Sequence, residues 1–215
     1  MNEGNNILFL NGKLLETPVY HHSMVNERFY TAMMSVSRLS GQDDILPVTI
    51  PEIIVKSQRL EVGMHICFDG QIRTYNKCTT DGASHLVLTC FVLNIRDPET
   101  NENPNQVELH GTVCKPPKYR VTPFGREITD MIIAVNMPHG KSAYVPCITW
   151  GFTARKSAHL RVGDKVSIAG RLQSRNYDKP MIDGTLQTRT AYEVSVMRLS
   201  KALPDYLYEE VSGCV

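Results

Sequence analysis

Aromatic and basic side chains are interleaved in the second half of the chain. Arg171, Arg175 and Tyr177 occupy alternate positions, so an extended strand would present all three on one face. Trp150 is the only tryptophan. Lys and Arg neutralise phosphates, and aromatic rings stack on nucleic-acid bases. The pattern suits a polyanion with unpaired bases; the alternative is a solvated basic surface with Trp150 in the core.

Further cations surround this segment. Arg155 and Lys156 lie shortly after Trp150. A loop predicted between the first two strands of this half carries both basic and aromatic residues, namely Lys115, Lys118, Tyr119, Arg120, Phe124 and Arg126. Phe124 precedes Gly125, so its alternative role is that of an aromatic residue at a hairpin tip.

The formal net charge of +1 conceals an uneven distribution. Residues 1–104 hold 8 Lys and Arg against 12 Asp and Glu, whereas residues 105–201 hold 15 against 7. Residues 202–215 contain three acids and no Lys or Arg. The basic middle segment is therefore a candidate polyanion surface.

The elements that must position these residues are indicated by an internal repeat. Asn11-Gly12-Lys13 recurs as His110-Gly111-Thr112, and Gly70-Gln71-Ile72 recurs as Gly170-Arg171-Leu172. The offset is 99 residues early in the repeat and 100 later, which indicates one insertion. Several glycines and prolines keep their order at this offset, so we interpret the chain as two copies of one domain.

A polar segment at 97–104 contains two prolines and has the composition of a linker. We therefore predict a first domain at 5–97, a second at 105–201 and a short acidic and aromatic tail at 202–215.

Alternating hydrophobicity predicts strands in both copies. Val166, Ile168 and Leu172 alternate with polar residues, and Gly70 and Gly170 interrupt equivalent strands, which predicts a bulge or bend. Further strands are predicted at 107–113, 128–136, 144–150 and 191–199, with a short helix at 152–160. The fold class is all-β, and a helix between the third and fourth of five strands favours two tandem five-stranded Greek-key barrels of the OB-fold type.

Two stretches carry a family resemblance. Pro146–Arg155 continues into Val162–Tyr177, with an apolar strand ending in an aromatic, a short helix, a Gly-Asp turn and a Gly-Arg-Leu strand. Together with Leu109–Val113 and Ala134–Asn136, this pattern resembles the bacterial single-stranded DNA-binding proteins over about residues 105–200. The first copy is a degenerate version.

The resemblance implies an OB fold without catalysis that binds single-stranded DNA with little sequence preference. It places base-stacking aromatics at Tyr144, Trp150 and Tyr177. With the basic loop and strand residues, the candidate nucleic-acid site comprises Trp150, Tyr144, Tyr177, Arg171, Arg175, Lys156, Arg155, Lys115, Lys118, Arg126 and Phe124.

The two copies are expected to differ in function. Pro51, Ile45 and Lys77 stand where the second copy has Trp150, Tyr144 and Tyr177. The second copy is therefore the expected DNA platform, and the first a weaker platform or an association surface. Because the family presents four OB folds, a homodimer of this chain is expected by analogy. The tail departs from the family, since it lacks a long linker and a terminal Phe.

No metal, cofactor or catalytic site is expected. The six cysteines form no Cys-x-x-C pair, and they are interpreted as free thiols, with a disulfide framework as the weaker alternative. His21 and His22 are adjacent and should point to opposite sides of a strand. The chain has no phosphate-binding Gly-rich loop with Lys, no Gly-x-Ser-x-Gly and no His-Glu-x-x-His.

The leading hypothesis is single-stranded DNA binding in replication, repair or recombination. The alternatives are a primosome-like accessory protein that also binds a helicase, and an OB-fold interaction module without nucleic acid. Replication proteins are possible partners. The polar N-terminus and the absence of a long apolar run lead us to expect a cytoplasmic, nucleoid-associated protein without a membrane segment.

Overall fold

The fold is described from a computed structural model that covers residues 4–38, 40–78, 84–99, 102–180 and 185–201. The first half contains β1 (Asn6–Leu14), β2 (Val19–Met24), β3 (Glu27–Ser37), β4 (Asp43–Pro51), α1 (Glu52–Gln58), β5 (His65–Cys78) and β6 (Ser84–Ile95). The second half contains β7 (Asn105–Val113), β8 (Lys118–Val121), β9 (Glu127–Asn136), a 3₁₀ turn (Pro138–Gly140), β10 (Ser142–Trp150), α2 (Gly151–Ser157), β11 (Lys165–Pro180) and β12 (Leu186–Lys201). The predicted tail at 202–215 lies outside the described residues.

The element order confirms the repeat. The strands β1 and β7 and the helices α1 and α2 begin 99 residues apart, whereas β5 and β11 begin 100 apart. The extra residue falls at the end of the helix. Arg59 ends α1 in the left-handed conformation with φ 50°, whereas Ala158 ends α2 with helical angles. The helix predicted at 152–160 is thus shorter, because its last residues form the turn that leads into β11.

Each half closes into a barrel. In the first, β1 pairs with both β5 and β3, β5 pairs with β6, β6 runs parallel to β4, and β4 pairs with β3. The second repeats this circuit with β7, β11, β12, β10 and β9. The prediction of two all-β barrels of the OB type is confirmed.

One element was wrongly predicted. The segment between the first two barrel strands of the second half is not only a loop, because Lys118–Val121 forms β8 and pairs with β9. The first half has the same arm, in which β2 pairs with β3. Each half therefore has a sixth strand outside its barrel.

Glycines permit the tight corners of both barrels. The register shifts between Asp69 and Gly70 and again between Ala169 and Gly170, which confirms the predicted bulges. A Cβ on Gly170 would lie 2.3 Å from the carbonyl oxygen of Ser195, and one on Gly70 would lie 2.4 Å from that of Phe91. No larger residue fits such an approach of two backbones.

The two barrels are joined edge to edge. β1 pairs antiparallel with β7, from Asn6 opposite Leu109 to Leu10 opposite Asn105, and Leu8 faces Val107 at the centre. Asn6 is the repeat equivalent of Asn105, and Leu10 is that of Leu109, so exchanging the two halves turns the first pair into the last. The junction therefore has an approximate two-fold axis. The described strands of the two predicted domains consequently form one twelve-stranded sheet.

Two buried asparagines brace the barrels in the same way. The side chain of Asn105 donates to the carbonyl oxygen of Leu172 at 2.7 Å and accepts from its N–H at 2.8 Å. Asn6 makes the equivalent pair of bonds to Ile72 at 2.7 and 2.9 Å. Both asparagines are 5 % exposed, so water does not replace these bonds readily.

The described cysteines have free thiols. Burial raises the pKa of Cys90 and of Cys147, which keeps both as neutral thiols in the barrel interiors. Within the described ranges, no helix is long and apolar enough to cross a membrane.

The asparagine brace gives a stability prediction. Replacement of Asn105 by Ala leaves the N–H and the carbonyl of Leu172 buried without partners, and each such group costs about 1–3 kcal/mol. We expect Asn105→Ala to lower the free energy of unfolding by about 2 kcal/mol or more in urea denaturation. Gln106→Ala is the matched control, because Gln106 is exposed on the same strand. Equal stability of the two variants would contradict this account of the brace.

Candidate nucleic-acid interface

A groove of about 990 Å³ runs along one side of the junction between the two barrels. It contains residues from β3, β4 and their connection in the first half, and from the β8–β9 connection, β10, β11 and β12 in the second. Its lining comprises Met33, Arg38, Gln42, Asp43, Ile45, Arg126, Trp150, Arg171, Gln173, Ser174, Arg175, Asn176, Thr190, Tyr192 and Ser195. The groove thus brings together Trp150, Arg126, Arg171 and Arg175 of the predicted site.

Trp150 lies on the groove wall with its ring partly open. It is the last residue of β10, and Gly151 begins α2 with φ 52°. Its indole N–H donates to the hydroxyl of Ser195 on β12 at 3.3 Å, and 38 % of the residue is exposed. A held but accessible ring is the geometry that base stacking requires, because little conformational freedom remains to be lost on binding.

The groove is rich in guanidinium groups. Arg175 on β11 lies 3.6 Å from Glu193, and its Cζ lies 5.8 Å from the ring centre of Tyr177. Arg126 follows the turn of the β8–β9 arm and is exposed. Within the described part of the chain, Arg126 has no carboxylate partner. Its full charge therefore faces the groove.

Arg171 has a structural partner in the other half. Its Nη1 lies 3.3 Å from the carboxylate of Asp44 on β4, and Arg38 binds the same carboxylate. Burial and the nearby charge of Arg38 lower the pKa of Arg171 from its usual value. Arg171 is thus less available to a phosphate than its position on β11 had suggested.

The other predicted aromatics lie outside the groove lining. Tyr144 shares the outer face of β10 with Trp150 and is 46 % exposed, and its backbone N–H donates to the hydroxyl of Thr74 at 2.7 Å. Tyr177 lies towards the far end of β11, is 38 % exposed and adjoins Arg175. Tyr177 is thus an accessible ring next to a groove residue, whereas Tyr144 is an accessible ring at the opposite side of the barrel junction.

The remaining predicted cations are spread over the β8–β9 arm and α2. Lys115 and Lys118 are exposed, and Phe124 is 91 % exposed at the tip of the arm. Arg155 is paired with Glu127 at 2.6 Å, and Lys156 lies 4.5 Å from the ring centre of Phe152. None of these lines the groove.

The equivalent platform in the first half is filled by its own side chains. Pro51 replaces Trp150, and Phe91 replaces Ser195 by strand register. The Cζ of Arg73 lies 3.2 Å from the ring centre of Phe91, and Phe29 packs on the same ring at 5.8 Å. Burial lowers the pKa of Arg73. No open aromatic ring remains at this position.

The expected orientation of the two adjacent histidines was wrong. The register of β2 shifts between Tyr20 and His22, so His21 and His22 are not on opposite faces. Their Nδ1 atoms lie 2.8 Å apart, and the ring of His22 stacks on Phe29 at 5.1 Å. A bulge breaks the two-residue periodicity on which the expectation rested.

Four of the fifteen groove residues were among the predicted site residues, and Arg38, Gln42 and Tyr192 are among those that were not. Arg38 and Gln42 come from the first half, and Tyr192 on β12 is half-buried, with a pKa raised by burial. The one sequence signal for Arg38 is a difference between the copies, because the first half has an arginine at this position and the second half has Met137 at the equivalent one.

Comparison with known proteins agrees with this geometry. Residues 104–201 match the model of the "Single-strand binding protein family". Single-stranded DNA-binding protein B of Bacillus subtilis is 33 % identical over 81 residues, which are 34 % of this chain and 72 % of that protein. This chain belongs to the single-strand binding protein family.

A second relative and one solved structure extend the comparison. Single-stranded DNA-binding protein 3 of Listeria innocua is 32 % identical over 34 % of this chain and 51 % of that protein, and the chain spans about half the length of most of the curated relatives it matches. The crystal structure of a deletion mutant of the single-stranded DNA binding protein from Thermus aquaticus has a TM-score of 0.72 at 22 % identity. It covers 95 % of this chain and 98 % of that one, so the two-barrel fold is shared throughout.

The electrostatics of the groove can be tested without DNA. Trp150 is the only tryptophan, and its arginine-rich surroundings should concentrate anions. We expect iodide to quench its fluorescence more strongly than caesium in dilute buffer. The difference should disappear near 1 M salt, where the screening length is about 3 Å.

Arg175→Gln should weaken iodide quenching and leave quenching by neutral acrylamide unchanged. Arg161→Gln, an exposed cation outside the groove lining, is the control. Equal quenching by iodide and caesium at low salt would show that the groove is not a positive site.

Proposed function

We propose that this protein binds single-stranded DNA with little sequence preference, in DNA replication, repair or recombination, and that the groove at the barrel junction is the central binding surface. The observation that carries the proposal is the placement of Trp150 beside Arg126 and Arg175 in one groove. Family membership and the names of the relatives support the same ligand.

In the proposed binding mode, aromatic rings bind the bases and arginines bind the phosphates. Every base has an apolar face, so stacking on Trp150 tolerates any sequence. Phosphates bind Arg126 and Arg175, which releases counterions and makes the affinity fall with salt. Tyr177, next to Arg175, extends the stacking surface along β11, and Tyr144 offers a further exposed ring on the outer face of β10 at the opposite side of the junction. Duplex DNA hides its base faces, so it cannot use the aromatic part of the site.

The arm and the helix provide outer contacts. Lys115, Lys118 and Phe124 on the arm, with Arg155 and Lys156 on α2, are proposed to contact strand that leaves the groove. Arg155 contributes less than the others, because Glu127 already pairs with it.

The proposed units are a degenerate barrel at 5–97 and the family-like barrel at 105–201. No step of the proposed function requires catalysis or a cofactor. A nucleoid-associated, cytoplasmic location follows from the proposed ligand.

We also propose that two chains associate, giving four barrels. Support comes from apolar residues left exposed on both halves: Ile7 on β1 is 43 % exposed, and the equivalent bulge residues Leu93 and Met197 are 50 % and 65 % exposed. Light scattering should give about twice the chain mass of 24.2 kDa, and Met197→Asp should reduce it. A single-chain mass at all concentrations would contradict this association.

Two alternatives to this function were considered. A primosome-like accessory protein would bind single-stranded DNA and, in addition, a helicase. An OB-fold interaction module would not bind DNA. Anisotropy of labelled oligo(dT) separates the module from the other two. No binding of the wild-type protein at low salt would replace the DNA-binding proposal with the interaction module.

The stacking proposal predicts the effect of removing Trp150. Trp150→Ala should weaken oligo(dT) binding by about 1–3 kcal/mol, or roughly 5- to 150-fold, whereas Trp150→Phe should retain much of the affinity. Phe152→Ala is the matched control, because Phe152 is 63 % exposed on α2 but does not line the groove. Thermal unfolding should confirm that all variants are folded. Similar losses for Trp150→Ala and Phe152→Ala would contradict a stacking role for Trp150.

A further inference from the structure

A buried carboxylate lies beneath the groove at the barrel junction. Asp44 on β4 is 0 % exposed. It accepts from Nε of Arg38 at 2.8 Å and from Nη2 at 2.5 Å, and it lies 3.3 Å from Nη1 of Arg171. The backbone N–H of Ser174 donates to it at 2.8 Å. One negative charge is therefore shared by two cations, one from each half of the chain.

Both arginines also face the groove. Their side chains are 21 % and 31 % exposed, respectively, and both line the groove, whereas Asp44 does not. Arg38 further donates to the carbonyl oxygen of Ser174 at 3.2 Å, which fixes it across the junction. The cluster thus presents two oriented guanidinium groups to a ligand, with a combined charge near +1.

The opposite junction shows that this cluster is not needed to join the barrels. Repeat-equivalent positions there hold Met137, Ala143 and Gln71 in place of Arg38, Asp44 and Arg171. Both sides of the junction instead share one hydrogen bond from a backbone N–H to a hydroxyl. Ile45 N–H donates to Ser174 Oγ at 3.0 Å on one side, and Tyr144 N–H donates to Thr74 Oγ1 at 2.7 Å on the other. The charged triad is thus an addition on the groove side alone.

We propose that Asp44 is a positioning residue that holds Arg38 and Arg171 on the groove floor and reduces the charge they offer to a DNA phosphate. The inference rests on the proposed function and deepens it. It assigns Arg38 of the first half to the binding groove, and it gives the chain an internal limit on affinity. Carboxylate and phosphate use the same guanidinium donors, so Asp44 competes with the ligand from inside the fold.

Salt dependence measures this effect directly. The slope of log K against log salt is about −0.7 per phosphate neutralised on a single strand. Asp44→Asn keeps the shape and one oxygen acceptor but releases a full positive charge into the groove. Anisotropy of labelled oligo(dT) between 50 and 400 mM salt should show tighter binding at the low end and a slope steeper by about 0.7 than that of wild type.

Asp69→Asn is the control for net charge. Asp69 also pairs with an arginine, Arg96 at 3.1 Å, but its side chain is 45 % exposed and it does not line the groove. This substitution should leave the slope unchanged. An unchanged or shallower slope for Asp44→Asn, or an equal change for Asp69→Asn, overturns the inference.

A second variant covers the case in which Asp44→Asn does not fold. The combined substitution Arg38→Met, Asp44→Ala and Arg171→Gln copies the opposite junction, which the same chain already folds. It removes a net charge of about +1, so its slope should be shallower than wild type by about 0.7. A wild-type slope in this variant overturns the inference.

The outcomes separate this inference from the function on which it rests. Wild-type protein that does not bind oligo(dT) at low salt overturns both. Wild-type protein that binds, with Trp150→Ala weakened but no response to the junction variants, overturns the role of Asp44 alone.

Discussion

The structure depends on the pairing of β1 with β7. Within its own barrel, the first strand pairs with the third only near its C-terminal end, at Lys13 and Leu14 in β1 and at Thr112 and Val113 in β7. The preceding part of each strand would otherwise leave a row of backbone donors and acceptors open to other chains. Pairing the two edges within one molecule satisfies these groups and sets the register from Asn6 opposite Leu109 to Leu10 opposite Asn105. The same register brings β4 against β11 and β5 against β10, as the bonds to Ser174 and Thr74 show. The groove exists because of this arrangement.

An approximate two-fold axis would by itself produce two equivalent grooves, but the side chains have made the sides different. At the second barrel, Trp150 stands over the small Ser195 and leaves an open ring. At the first, Phe91 and Arg73 occupy the same space and close it. The charged triad of Arg38, Asp44 and Arg171 is likewise present on one side only. A repeated scaffold thus carries one differentiated site, in which the first barrel supplies part of the wall and floor.

Most of the scaffold could be predicted from the sequence, because its constraints are local. Gly70 and Gly170 mark the two bulges at which the backbones of paired strands approach closely. The alternation of apolar residues around Val166 and Ile168 reflects the one buried face of that strand. The β8–β9 arm was missed because a two-stranded arm outside the core has no buried face to impose a pattern, and all of β8 is exposed. A bulge in β2 likewise defeated the orientation expected for His21 and His22.

The site was predicted in part for the same reason. Trp150 on β10 and Arg171 and Arg175 on β11 belong to one barrel, in which β12 separates the two strands. Alternation of side chains along each strand is therefore enough to place all three on the groove side of that barrel. Arg38 and Asp44 belong to the other barrel, more than 100 residues away from Arg175 and Trp150 along the chain. Their contact with Arg171 depends on the junction register, which no local pattern encodes. Arg171 was therefore predicted to bind phosphate or to be a solvated surface charge, and its pairing with Asp44 was not predicted.

The central claim is that single-stranded DNA lies in the junction groove and contacts both halves of the chain. Photo-crosslinking of the full chain to an oligonucleotide containing 5-iodouracil, followed by peptide mapping, tests it most directly. The account predicts cross-links at Trp150 and Tyr192, together with linked peptides from the first half near Met33 or Gln42. Cross-links confined to the outer faces of the barrels, with none at Trp150, would contradict it.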